Sequence, residues 1–243
     1  MVVMPLRSLT VACLVAMTAF MRHRYGSGIA LTGDAGSPPR FTSNRYLANI
    51  EDTLKQVRAS SSGIPALEFM QASYAIVSIM DAIPGMGLIK QDMVGNADHI
   101  WRRLGGDATT LEAMCAAELA TMPLDKARSK DGTVVTSLLW LKRALQFLQG
   151  LLKEMLRSPQ KTLRQCCSVA YESSLKRHHN MVMRGTFHVA TNVAPPRDEF
   201  LAKLTIAGSG EAAAVKALSK LVPAWGTLLE RLDAFLVRER IER

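Results

Sequence analysis

The chain has 243 residues, an apolar fraction of 48%, an aromatic fraction of only 6% and a formal net charge of +9. This length is enough for one large domain, or for a domain with an extension, whose core needs no metal ion or disulfide. Leu, Ala and Met dominate, and alternating runs of Val, Ile and Tyr are scarce. We therefore expect an all-α fold.

The positive charge favours contact with anionic surfaces, which include phospholipid headgroups and nucleic acid. The sequence lacks the aromatic and basic motifs of common RNA-binding modules and an obvious recognition helix, so we expect no nucleic-acid partner. The four cysteines show no metal-ligand spacing, and the adjacent Cys166 and Cys167 suit an ordinary disulfide framework poorly. A reduced, cytoplasmic environment is the simpler interpretation.

Residues 1–40 are predicted to be an N-terminal extension, and residues 41–243 the folded domain. Residues 9–21 are apolar but too short to span a bilayer comfortably, which is typical of a signal-peptide core or of a transit sequence. Residues 25–40 are rich in Gly, Ser and Pro and are predicted to be a linker. An overextended start, with Met17 or Met21 as the initiator, is the other interpretation.

About eight helices are predicted from apolar periodicity and from Pro and Gly breakers. They cover residues 44–59, 66–83, 87–104, 109–121, 135–155, 161–180, 197–207 and 211–241. The sixth either ends near residue 180 or continues, bent at Gly185, to residue 193. Pro223 and Gly226 predict a kink or a junction in the last one.

The helix at 135–155 has two adjacent apolar stripes that together cover about half of its surface. A surface helix needs a narrower stripe, so we expect this helix to be central. Trp140 lies at the edge of the apolar arc, with Thr136 one turn before it and Arg143 one turn after it. This edge is a candidate position for a binding site.

In the helix at 87–104, Asp92, Asn96, His99 and Arg103 fall at positions i, i+4, i+7 and i+11. This spacing places all four side chains on one helical face. An ordinary amphipathic helix with a solvated polar face explains the pattern equally well. The helix alone therefore does not establish a site.

Three ordered segments distinguish these alternatives: DMVGN at 92–96, WLKR at 140–143 and AYESSLKRHH at 170–179. Together they resemble the signature blocks of the glycolipid transfer protein family, in the right order and at suitable spacing. The resemblance extends from about Phe41 to the end of the sequence. It implies a two-layer, all-helical sandwich that binds one ceramide-based lipid, with the headgroup at the surface and the acyl chains in an apolar tunnel.

The resemblance also implies a role for each candidate residue. Asp92 would accept a hydrogen bond from the ceramide amide N–H, and His179 would donate one to the amide carbonyl. Asn96 would bond sugar hydroxyls, Trp140 would cover the first sugar ring, and His99 stands where most members have a Lys that contacts sugar. These residue types suit the task, because an unmatched amide at a dry tunnel mouth costs roughly 1–3 kcal/mol.

The headgroup is predicted to be neutral. Family members that carry ceramide 1-phosphate resemble one another in having Lys or Arg at the positions of Asn96, Thr136 and Trp140, because phosphate favours fixed cationic donors. This chain favours a glycosphingolipid, although Arg103 supplies a nearby cation and ceramide 1-phosphate transfer stays an alternative. At Met181 the animal glycolipid carriers have a Trp for membrane contact, so Met181 is the candidate membrane residue here.

Two other classes of function compete with lipid transfer. An enzyme could use His178, His179, His99 and Asp92 as a metal site, but adjacent histidines on a helix point about 100° apart, and no nucleophile, phosphate-loop or zinc-protease motif is found. We expect no enzyme, metal or cofactor. The second alternative is a lipid sensor or a non-transferring interaction scaffold. The carrier is expected to be a monomer that contacts the membrane surface transiently.

Overall fold

The computed structural model describes residues 36–41, 45–57, 63–105, 109–205 and 209–242. These residues form ten α-helices: α1 (Tyr46–Gln56), α2 (Ala66–Val77), α3 (Gly87–Trp101), α4 (Leu111–Leu119), α5 (Leu124–Ser129), α6 (Val134–Arg157), α7 (Leu163–Ser173), α8 (Met181–Thr191), α9 (Arg197–Leu204) and α10 (Gly210–Arg238). Two 3₁₀ helices cover Ser78–Ala82 and Lys176–His178. The described ranges contain no β-strand, so the predicted all-α class is confirmed.

Helix α6 is the central element, as its two apolar stripes predicted. Both stripes are buried, and α6 packs against α3, α7 and α10. Two side chains cap its first turn. The Thr133 hydroxyl accepts a hydrogen bond from the Thr136 N–H, and the Glu118 carboxylate accepts from the N–H groups of Val134 and Val135. A carboxylate here also opposes the positive end of the helix dipole. The start of α6 is thereby fixed firmly against α4.

The structure has two more α-helices than the eight that the sequence predicted. Helix α5 lies between the helices predicted at 109–121 and 135–155, and α7 and α8 replace the single helix predicted from residue 161. The chain leaves the helical path after Ser173, and the Asn180 side chain then accepts from the Met183 N–H and begins α8. Gly185 lies inside α8. The break leaves His179 in an extended conformation between two helices.

Helix α10 runs through Pro223 without division into two helices. Gly226 marks a close approach of α10 to α6 and not a junction: a Cβ there would lie 2.5 Å from Gln149 Nε2, so the Gln149 side chain would have to shift. After α10 the chain turns back through Arg240, whose φ of 58° is in the left-handed region. The N–H groups of Ile241 and Glu242 both bond the Leu236 carbonyl. This turn buries Ile241 and Glu242 against the helices.

None of the helices within the described ranges is both long enough and apolar enough to cross a bilayer. The Trp101 indole N–H donates to the Gly36 carbonyl over 2.8 Å, so residues next to the predicted domain boundary contact α3. The predicted targeting segment at residues 1–24 lies outside the described residues.

Candidate functional site

Asp92, Trp140 and His179 meet at one cavity, although they come from three different parts of the chain. Helix α3 supplies Asp92, α6 supplies Trp140, and the segment before α8 supplies His179. The cavity has a volume of about 30 Å³. It is lined by Ile89, Asp92, Met93, Trp140, Ala144, Leu175, His179, Met183, Thr186 and Phe187. Three of the five residues to which the family resemblance assigns a role therefore line this largely apolar space, and their partly exposed side chains form its mouth.

The Trp140 indole is half-buried and its position is fixed by three neighbours. It stacks on the His179 imidazole with ring centroids 5.9 Å apart and planes at 30°. His178 meets its edge at 6.3 Å, and the Arg143 guanidinium carbon lies 5.1 Å from its ring centroid. These contacts hold the ring as a flat apolar surface beside Asp92.

His179 is neutral at physiological pH. Burial, together with smaller contributions from the charges of His178, Arg184 and Arg143, lowers its pKa to about 4. Its Nδ1 lies 3.0 Å from the Tyr171 hydroxyl oxygen. Burial raises the pKa of Tyr171 to about 12, so this hydroxyl keeps its proton and can donate it to a hydrogen bond.

A run of stacked aromatic rings leads from the mouth into the core. Tyr171 stacks on Phe187 at 3.8 Å with planes only 9° apart, and Phe187 meets Phe147 of α6 edge-on at 5.4 Å. Tyr171 was not among the predicted site residues. The available signal was that a buried Tyr generally has a hydrogen-bond partner for its hydroxyl, and His179 is eight residues away.

Asn96 and His99 lie behind the cavity and do not line it. Asn96 is 1% exposed, and its side-chain amide donates to the Asp92 carbonyl over 2.9 Å. The His99 ring is buried, with Nδ1 3.4 Å from the Ser137 hydroxyl and the ring packed against Gly132. The alternative of a solvated polar face therefore does not hold for these two residues, and His99 is covered by Ser137 of α6 and by Gly132 in the loop before it.

Two of the three support candidates, Thr136 and Arg103, make contacts away from the cavity. Thr136 is buried, and its hydroxyl donates to the Ala127 carbonyl of α5, so it joins α5 to α6. Arg103 is exposed and donates to the His99 carbonyl at the end of α3 over 2.8 Å. Neither residue lines the cavity.

Arg143 is held in an ion-pair cluster that the sequence did not reveal. Its guanidinium makes two hydrogen bonds to the Glu242 carboxylate, at 2.7 and 3.2 Å. The neighbouring Lys142 is 1% exposed and pairs with Glu242 at 2.9 Å and with Asp233. Burial acts to raise the pKa of Glu242, but the hydrogen bonds from Arg143 and Lys142 outweigh it and lower the pKa to about 2.

The first turn of α8 presents apolar side chains to the surface beside the cavity. Met181 is 80% exposed and Val182 is 49% exposed, while Met183 lines the cavity itself. Exposed Arg177 and Arg184 lie next to them. The Arg184 guanidinium donates to the His179 carbonyl, which ties this turn to the mouth.

Within the described part of the chain, no group of three or more His, Cys, Asp or Glu side chains is arranged to hold a metal ion. His178 accepts a hydrogen bond from the Arg177 guanidinium at 3.0 Å, and burial together with Arg143 lowers its pKa to about 4. Cys115, Cys166 and Cys167 are buried free thiols, and Cys13 lies outside the described residues.

Comparison with known proteins places this chain in a family. The glycolipid transfer protein family model matches residues 64–205. The rat pleckstrin homology domain-containing family A member 8 is 33% identical over 147 residues, which are 60% of this chain and 28% of that protein. The chain thus corresponds to under a third of that relative. A glycolipid transfer protein from Aureobasidium melanogenum is 29% identical over 194 residues, or 76% of this chain and 91% of that protein.

Solved structures give the same fold. The GLTP-fold structure of FAPP2, a protein that selects simple glycosphingolipids, has a TM-score of 0.70 and 28% identity, and covers 82% of this chain and 97% of that one. Human ceramide-1-phosphate transfer protein, solved with its 12:0 lipid, has a TM-score of 0.71 at 21% identity and covers 82% and 98%, a likeness of fold alone. The predicted helical sandwich is confirmed, and the chain belongs to the glycolipid transfer protein family.

Proposed function

We propose that this protein binds a neutral glycosphingolipid and carries it between membranes without altering it chemically. One observation carries the proposal: Asp92, Trp140 and His179 converge on the mouth of an apolar cavity. A ceramide amide has one donor, one acceptor and apolar chains on either side. A carboxylate, an imidazole and an apolar space match these parts in turn.

The amide would be recognised from both sides at once. The Asp92 carboxylate accepts the amide N–H. In this proposal the Tyr171 hydroxyl, 3.0 Å from His179 Nδ1, is the donor of that bond, so the neutral imidazole carries its proton on Nε2 and presents it to the amide carbonyl. Each partner replaces a hydrogen bond to water that the amide loses at a dry mouth.

The sugar would lie on the Trp140 indole. An aromatic face suits the apolar C–H side of a sugar ring, and this indole is held in place by its neighbours on either side. Asn96 is buried. In this proposal, side chains between α3 and α6 therefore move before Asn96 bonds the sugar hydroxyls. His99 would act through the same movement.

The acyl chains would enter between α3, α6 and α8. A volume of about 30 Å³ is the space of roughly one water molecule, whereas pockets for drug-sized ligands are roughly 300–1,000 Å³. The lining side chains must therefore separate when lipid enters. Met93 and Met183 suit such movement, because methionine has flexible torsions and tolerates varied packing. Because the bilayer that the lipid leaves already shields its acyl chains from water, the cavity only has to be equally apolar.

Membrane contact is proposed for Met181, together with Val182, which the sequence analysis did not include. The two apolar side chains and the arginines around them face solvent beside the mouth, a composition suited to shallow insertion between anionic headgroups. Met181→Ser should slow transfer between vesicles about threefold while cargo binding in detergent is unchanged. Equal loss of binding would remove Met181 from the membrane contact.

Ceramide 1-phosphate is the alternative cargo, and the non-transferring scaffold is the alternative class. Transfer of fluorescent glucosylceramide and of fluorescent ceramide 1-phosphate between vesicles should be measured side by side, with native mass spectrometry of the purified protein. We expect glucosylceramide to move faster and one lipid of glycosphingolipid mass to be bound. Movement of phosphate cargo alone would overturn the headgroup proposal, and neither movement nor bound lipid would favour the scaffold.

A further inference from the structure

The cluster formed by Lys142, Arg143, Asp233 and Glu242 lies next to the site, and the lipid recognition described above does not use it. Arg143 connects the two, since its guanidinium contacts both Glu242 and the Trp140 ring. The charge of Arg143 also acts on His178 and His179. A cation at this position is near enough to the mouth to affect a headgroup.

Glu242 neutralises this cation and its neighbour together. Arg143 bonds both carboxylate oxygens, at 2.7 and 3.2 Å, and Lys142 pairs with one of the two at 2.9 Å. Both the Glu242 and the Lys142 side chains are nearly fully buried. Hydrogen bonds between buried charged groups are short and strong, so the guanidinium is held facing Glu242 and not the mouth.

The chain reaches this position through a constrained turn. Arg240 adopts the left-handed conformation that Gly or Asn usually occupies and that is strained for other residues. The turn nevertheless persists, anchored by buried Ile241 and by two hydrogen bonds to the Leu236 carbonyl. It brings Glu242 against Lys142 and Arg143 of α6, the second and third residues after Trp140.

We propose that Glu242 is a specificity-determining residue: by pairing with Arg143 and Lys142 it holds the guanidinium against Trp140 and keeps the mouth selective for uncharged headgroups over phosphate. This inference rests on the proposed lipid-binding function. It assigns Arg143 a positioning role, holding the indole, and it makes the selectivity depend on a residue outside the three signature blocks.

The test is Glu242→Gln, which keeps the shape of the side chain and removes its charge. The ratio of ceramide 1-phosphate to glucosylceramide transfer should rise about fivefold, because an unpaired cation close to the mouth attracts phosphate. Asp233→Asn is the matched control: it removes one charge from the same lysine, but Asp233 has no ion pair with Arg143 among the described contacts. Its ratio should stay within about twofold of wild type.

Thermal melting would show whether each variant folds. If Glu242→Gln fails to fold, the double variant Lys142→Met with Glu242→Gln replaces it. This variant removes the buried lysine as well and leaves the Arg143 cation without Glu242. Its ratio of ceramide 1-phosphate to glucosylceramide transfer should also rise about fivefold. An unchanged ratio in a folded variant, or an equal rise in Asp233→Asn, would overturn the inference. Absence of any sphingolipid transfer by wild type would instead overturn the proposed function, so the two failures are distinguishable.

Discussion

The small cavity at Trp140 and the large groove between α1 and α10 differ in the kind of groups that line them. The groove has a volume of about 520 Å³, far above the 30 Å³ of the cavity, and its lining includes Lys55, Lys216 and Lys220 together with Glu51, two leucines and several alanines. None of the described residues lining it is aromatic. Lys55 is already paired with Glu51 at 2.7 Å on the exposed surface.

The comparison teaches that volume does not identify the site. Surface lysines are mobile, strongly hydrated and weakly selective. The cavity instead brings together a carboxylate, a neutral imidazole and an indole, each held by neighbours, beside an apolar interior. We expect a small space whose lining can separate to suit a ceramide better than a large open groove lined mainly by surface lysines and small apolar side chains.

The strongest way to break this comparison is Asp92→Val. Loss of a charged acceptor for the ceramide amide should reduce glucosylceramide transfer about 100-fold, which corresponds to about 3 kcal/mol. The folded state should change little, because Asp92 is half-buried at a cavity mouth. Vesicle transfer and thermal melting measure the two effects.

The control for that variant is Gln91→Val, which places the same β-branched residue on the exposed side of α3 next to Asp92. It should transfer lipid like wild type. Extensive unfolding of Asp92→Val, with Gln91→Val intact, would make Asp92 a structural residue.

The neutral His179 at the cavity also predicts how the free energy of unfolding depends on pH. His179 has a pKa of about 4 in the folded protein and an ordinary value of 6.5, so the unfolded chain takes up a proton first as the pH falls. Stability is therefore lost from pH 6.5 downward. The protein should be about 1–2 kcal/mol less stable at pH 5 than at pH 7, after allowance for partial exposure.

Urea denaturation at the two pH values measures this loss. His179→Gln should reduce the difference, and part of it should remain because burial and Arg143 lower the pKa of His178 as well. The range above pH 5 keeps the titration of Glu242 out of the measurement, since its pKa of about 2 in the folded state and ordinary value of 4.5 both lie below it. An identical pH dependence in His179→Gln would contradict a neutral, buried imidazole.

These residues also show how far the sequence leads. The apolar stripes of α6 predicted its central position, and the three motif blocks predicted that Asp92, Trp140 and His179 would matter together. Patterns within one helix do not say which neighbour covers a polar face, so the burial of Asn96 was missed. The pairing of Arg143 with Glu242 spans 99 residues and depends on a turn at Arg240, which no local pattern indicates.

A smaller effect is expected for Trp140→Ala. Loss of the stacking surface should reduce glucosylceramide transfer about threefold to tenfold, in line with 0.5–1.5 kcal/mol for an aromatic contact. Trp140→Phe should keep part of the activity, since it retains a flat ring. Transfer that is equal in Trp140→Ala and wild type would mean that the sugar lies elsewhere.

The smallest effect is expected in the groove. Replacing Lys216 and Lys220 together with Ala removes two cations from the larger space but touches none of the residues at the cavity. Glucosylceramide transfer should change less than about twofold with neutral vesicles, because exposed charges contribute little to binding a neutral cargo. Asp92→Val, tested in the same assay, gives the loss of transfer caused by removing one half-buried charge at the cavity. A loss in the groove variant as large as in Asp92→Val would reverse the comparison and move the lipid site to α1 and α10.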